Sequence, residues 1–207
     1  MHYQLDGFYQ YEEDIKKSRF LALAGPIGSA EEAMAFIQTH HVPDATHNCW
    51  AYKLGDEYRF NDDGEPGGTA GRPMLQAIEG QDCDRVVVLV IRWFGGVKLG
   101  TGGLMRAYGG VAASCLRLAP KSPIVPLQTV QCSCDYSDSD LVRSRFAQHQ
   151  AQVLSEVFGA TGVEWTLALP LDQVQAFEEG FSNWTRGQGF WSTLEKTDSQ
   201  SLHDGKT

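Results

Sequence analysis

The chain has 207 residues, 42% of them hydrophobic and 21% charged, with a formal net charge of −9. That is enough apolar material for a core, which excludes a disordered or fibrous chain. The acidic total disfavours a histone-like binder held by bulk positive charge, and leaves room for RNA contact through a local basic patch.

Apolar runs predict short strands over residues 8–12 and 19–24. Ser29-Ala30-Glu31-Glu32 is a capping box that opens a helix running to about residue 40, stopped by Pro43. Strands follow over 47–54 and 57–60, then the loop Asn61-Asp62-Asp63-Gly64-Glu65-Pro66-Gly67-Gly68 and a helix over about 69–79. Residues 85–91 (Arg-Val-Val-Val-Leu-Val-Ile) form the clearest buried strand. A second glycine-rich loop, 92–103, leads into a helix over 104–118. Ala119-Pro120-Lys121-Ser122-Pro123 reads as a linker, because its prolines cannot continue a helix.

Beyond that point the pattern is strand 130–136, helix 138–149, strands 152–158 and 162–169, helix 171–183 and strand 189–195. This β-α-β-β-α-β order is that of a ferredoxin-like domain. The expected organisation is an α+β protein with domains at 1–123 and 124–197 and a polar tail at 198–207. Split after Val125, the first part carries 12 basic against 15 acidic residues, a net −3, and the remainder 5 against 11, a net −6. A nucleic-acid surface is therefore expected on the first part.

Five cysteines without a C-x-x-C pair do not form a disulfide framework, and the expectation is buried reduced thiols, with metal binding the alternative. No apolar stretch approaches the ~20 residues of a membrane span, and the N-terminus is polar and unlike a signal peptide. A soluble cytoplasmic protein is expected.

Thirteen of the 22 glycines lie between Gly55 and Gly110, so the glycine excess is concentrated in and around the two loops. The second loop follows a buried strand and precedes a helix, a place where backbone N–H groups can face an anion. Arg92, Lys98 and Arg106 add charge, and Thr101 lies in the same loop. The loop matches neither a Walker sequence nor G-x-G-x-x-G, so a tight packing turn is the competing reading. In the first loop Asp62, Asp63 and Glu65 are either a Mg²⁺ or acid–base set or a solvated turn. His47 and Cys49 share a strand face, which permits a Cys/His nucleophile or, more plainly, a buried thiol beside a strand-end histidine.

Three stretches together resemble the IMPACT/YigZ family. They are His47-Asn48-Cys49-Trp50-Ala51-Tyr52, then Asp62-Asp63-Gly64-Glu65-Pro66 with Gly68-Thr69-Ala70-Gly71 and Pro73-Met74, then Val90-Ile91-Arg92-Trp93-Phe94-Gly95-Gly96 running through Leu99-Gly100-Thr101-Gly102-Gly103-Leu104 to Arg106-Ala107-Tyr108. Asn61 stands where serine is expected and Gly67 where alanine is common. The resemblance implies a first domain like the second domain of a small-subunit ribosomal protein and a ferredoxin-like second one. The pair is similar to domains IV and V of elongation factor G. Eukaryotic relatives regulate translation through partners in the amino-acid-starvation kinase pathway, by an extra domain with no counterpart expected here. No established reaction comes with the family, and no cofactor or metal ligand is assigned to this chain.

The reading that follows is a non-enzymatic module binding RNA or the ribosome. Its binding set is Asp62, Asp63, Glu65, Thr69, Arg72, Arg92, Lys98, Thr101 and Arg106, with no catalytic residue assigned. The rivals are an enzyme acting on a phosphorylated small molecule and a protein-interaction adaptor.

Overall fold

The structure, a computed structural model, describes residues 1–194. The chain forms two compact units that divide between Ile124 and Val125. The polar tail expected at 198–207 and the last residue of the strand expected at 189–195 lie outside the described residues.

The first unit runs β1 (Tyr3–Leu5), β2 (Tyr9–Ile15), β3 (Ser18–Pro26), α1 (Ala30–His40), β4 (His47–Leu54), β5 (Glu57–Asn61), α2 (Gly71–Gly80), β6 (Val86–Trp93), α3 (Thr101–Leu118) and β7 (Lys121–Pro123). Five strands form an antiparallel sheet in the order β2-β3-β6-β4-β5. β6 lies at its centre, which explains its unbroken apolar run: alternate residues enter two different cores. Val86, Val88 and Val90 pack with Met74, Ile78, Val111 and Leu116 of α2 and α3. Val87, Leu89 and Ile91 face the other way, against Ala33 and Ile37 of α1.

Ser29 caps α1 by accepting from the Glu32 N–H at 3.2 Å, and the Glu32 carboxylate returns to the Gly28 N–H at 2.6 Å. The residues read as a linker do not behave as one. Lys121–Pro123 is strand β7, paired antiparallel with β1. Three pairs of residues suffice, and Pro123, which has no N–H to give, occupies the end of the ladder.

The second unit runs β8 (Leu127–Asp135), α4 (Tyr136–Ser144), β9 (Gln152–Phe158), β10 (Gly162–Pro170), α5 (Val174–Trp184) and β11 (Phe190–Thr193). Its antiparallel sheet has the order β11-β8-β10-β9, the ferredoxin-like arrangement. Trp165, Leu167, Phe177 and Phe181 are its largest buried side chains. The helix expected over 138–149 starts earlier and ends at Ser144, followed by a short 3₁₀ turn over Ala147–His149. Phe146 turns inward there and meets Trp165 edge to face at 5.4 Å. The molecule is a two-domain α+β protein, and among the described residues no helix is long and apolar enough to cross a membrane.

Candidate functional site

The loop between β5 and α2 is held by its own carboxylates. Asp62 Oδ1 accepts from the Ala70 and Gly71 N–H groups at 3.0 and 2.8 Å, and Oδ2 accepts from the Gly68 N–H at 2.8 Å. α2 has no capping side chain at Ala70, so Asp62 supplies the acceptor that its first N–H groups lack. Asp63 Oδ2 accepts from the Asn48 N–H at 2.5 Å, and the Thr69 hydroxyl donates to the Pro66 carbonyl at 2.6 Å. Asp62, Asp63 and Thr69 thus spend their polar atoms shaping the loop. Among the described residues no cluster of three or more His, Cys, Asp or Glu is placed to hold a metal ion.

Glu65 points the other way, into the unit. Its Oε1 accepts from Arg92 Nη1 at 2.5 Å and from the Tyr108 hydroxyl at 2.7 Å. Arg92 is only 4% exposed; its Nη2 donates to Ser18 Oγ at 3.3 Å, and its guanidinium lies 5.5 and 5.6 Å from the Phe20 and Phe94 ring centres. Its Nε–H has no hydrogen-bond partner. The expectation that Arg92 supplies free positive charge is corrected here: it is a buried residue neutralised by Glu65. The sequence signal was available. Period-two alternation along Val86, Val88 and Val90 carries Arg92 onto the α2/α3 face.

The loop between β6 and α3 is shaped by close approach. A Cβ on Gly95 would sit 1.7 Å from the Lys17 carbonyl oxygen, so only glycine fits. Thr46 Oγ1 accepts from the Phe94 N–H at 2.9 Å and ties the loop to the start of β4. Gly100, at φ 74°, then turns the chain into α3 without a side-chain cap. The Leu104 N–H closes the first helical bond on the Gly100 carbonyl, so the N–H groups of Thr101, Gly102 and Gly103 precede any intrahelical partner.

These segments enclose a cleft of about 400 Å³, lined among others by His47, Glu65, Arg92, Lys98 and Thr101. Four of the expected binding residues (Glu65, Arg92, Lys98 and Thr101) therefore come together. Asp62, Asp63 and Thr69 do not line the cleft and instead hold its loop, while Arg72 and Arg106 are exposed and do not line it either. Ser18, Thr46 and Tyr108 escaped sequence reasoning as site residues, since their partners lie 43 to 77 residues away.

His47 and Cys49 do not act as a pair. His47 Nδ1 meets the Asp63 carbonyl at 2.7 Å, whereas the Cys49 thiol donates to the Asp62 carbonyl at 3.0 Å. Burial, reinforced by the nearby Glu65 carboxylate, pushes the Cys49 thiol up to about 12, so it is protonated and poorly nucleophilic at neutral pH. Burial also raises Tyr108, which keeps its hydroxyl a donor to Glu65. All five cysteines are buried and free.

Comparison with known proteins follows the two units. Residues 16–116 match the Impact N-terminal domain, and residues 132–188 match a domain of unknown function, DUF1949. An IMPACT family member of Thermus thermophilus is 51% identical over 160 residues, covering 75% of this chain and 86% of its own. The IMPACT family member YigZ of Escherichia coli strain K12 is 34% identical over 182 residues, covering 84% and 89%. A crystal structure reported as that of an hypothetical protein superposes with a TM-score of 0.69 at 31% identity, over 95% of this chain and 99% of that one.

Proposed function

The chain belongs to the IMPACT family, and from the cleft of its first domain we propose that it is a binding module for the phosphate groups of a structured RNA, such as that of the ribosome. The observation that carries this reading is the N-terminus of α3, which opens on the cleft with Lys98 beside it and no acidic residue in its first turn. Free N–H groups and the helix dipole favour an anion there. Arg92 lines the same cleft, with its charge already met by Glu65. Contacts of this kind give affinity with little base specificity. The net charge of −9 is no obstacle, because the contact is local and the first part of the chain carries only −3 of it. The resemblance to elongation factor domains favours the translation machinery as the source of the phosphates.

Binding to ribosomes and to a hairpin RNA across a salt titration tests this. Binding at low salt that weakens several-fold in Lys98→Ala supports it; no binding at low salt overturns it.

The meeting of Glu65, Lys98 and the start of α3 in one cleft favours a second reading, an enzyme acting on a phosphorylated small molecule. A saturable thermal shift with nucleotides and Mg²⁺, in the absence of any RNA binding, would favour that alternative.

A further inference from the structure

Resting on the phosphate-binding reading, we propose that His47 and Glu65 make the cleft a reader of the ribose 2′-hydroxyl, so that it prefers RNA to backbones lacking that group. The His47 tautomer is fixed by its surroundings. The Asp63 carbonyl, 2.7 Å from Nδ1, can only accept, so Nδ1 carries the hydrogen. In the neutral ring Nε2 is then a bare acceptor. It stands 3.8 Å from Glu65 Oε1, too far for a direct hydrogen bond, and His47 remains 20% exposed.

While His47 is neutral, two acceptors face each other in the wall of the cleft with no hydrogen between them. Oε1 already receives Arg92 and Tyr108. The other Glu65 oxygen has no donor among the described residues, although the residue is 8% exposed. A phosphate oxygen cannot satisfy this edge, since it offers no proton and meets a carboxylate. A cationic amine is disfavoured by Lys98 and the positive end of α3 in the same cleft. A neutral hydroxyl fits: its hydrogen goes to His47 Nε2, beside the Glu65 carboxylate, while its neighbouring phosphate lies at α3. In a nucleic-acid backbone, the hydroxyl next to a phosphate is the 2′-hydroxyl, the group that distinguishes RNA from DNA.

The test compares a hairpin RNA with its 2′-fluoro counterpart, which keeps A-form shape and phosphates and lacks only the donor. Fluorescence anisotropy of the full chain is expected to show the RNA bound about 5- to 10-fold more tightly, the worth of one hydrogen bond. In His47→Ala the two hairpins are expected to bind alike. As a readout needing no variant, the nitrogen NMR signal of His47 Nε2 is expected to shift with the RNA and not with the 2′-fluoro hairpin. Equal binding of both hairpins by the wild type, or discrimination unchanged in His47→Ala, overturns the proposal while leaving phosphate binding intact. Binding of neither hairpin overturns the phosphate reading itself.

Discussion

Glu65 and Arg92 stand 27 residues apart in sequence and meet at 2.5 Å, with both side chains at most 5% exposed. Removing one member leaves a buried charge without its partner. Glu65→Gln is expected to cost about 3–5 kcal/mol, read by urea unfolding. Glu65→Gln combined with Arg92→Met is expected to recover part of that loss, because the pair removed together leaves no orphan charge. Binding data on Arg92→Ala therefore mix recognition with stability.

Lys98 offers a cleaner probe of recognition. It is exposed, lines the cleft and forms none of the ion pairs found among the described residues. Lys98→Ala is expected to leave stability within about 0.5 kcal/mol. It is also expected to lower the slope of log affinity against log salt by about 0.9. Arg72→Ala, whose side chain lies outside the cleft, serves as a control with a slope near the wild type.

The Asp62 carboxylate gathers three N–H groups from Gly68, Ala70 and Gly71. Asp62→Ala leaves these donors without an acceptor, at a cost of about 2–4 kcal/mol for charge-assisted bonds. Hydrogen exchange is the direct readout: the Ala70 and Gly71 amides are expected to lose protection in Asp62→Ala while β6 amides keep theirs.

The Cys49 thiol gives a pH signature. Burial raises it from 9.0 to about 12 in the folded chain. A raised value means that the folded state holds its proton more tightly. The stability it contributes is full below pH 9 and is lost as the pH rises from 9 towards 12. Between those limits, Cys49→Ala is expected to flatten the fall by about 1.4 kcal/mol per pH unit relative to wild type. Alkylation at pH 8 is expected to spare Cys49 in the native chain and to label it after unfolding.

The hairpin between β2 and β3 turns through Lys16 and Lys17, both at positive φ, 48° and 70°. Two such residues in a two-residue loop are the setting that favours asparagine-glycine. Replacing Lys16-Lys17 by Asn-Gly is expected to raise stability by about 1 kcal/mol, measured by thermal unfolding.

What the sequence made legible follows physical lines. The run over Val86–Ile91 announces a strand buried on both faces, and the capping box at Ser29 announces α1. The glycine-rich stretches announce loops that need unusual backbone, as Gly95 against Lys17 and Gly100 at positive φ confirm. Pairings of distant residues are not legible. Nothing in a three-residue strand containing proline predicts that β7 meets β1, and nothing local says that Glu65 is buried while Asp62 and Asp63, close beside it, bond backbone. Acidic residues in a Gly-Pro loop look alike in sequence; only the fold separates the one facing a cleft from those holding its wall.

The bracing of that wall by Asp62, Asp63 and Thr69 bears on kinetics. Loop entropy is lost when the domain folds, not when a ligand arrives. Association with the proposed phosphate ligand is then expected as a single bimolecular step without a slow rearrangement, its rate set by charge and ionic strength. Loosening the brace at Asp62 converts that encounter into one preceded by loop ordering, visible as a second relaxation phase whose rate no longer rises with ligand concentration.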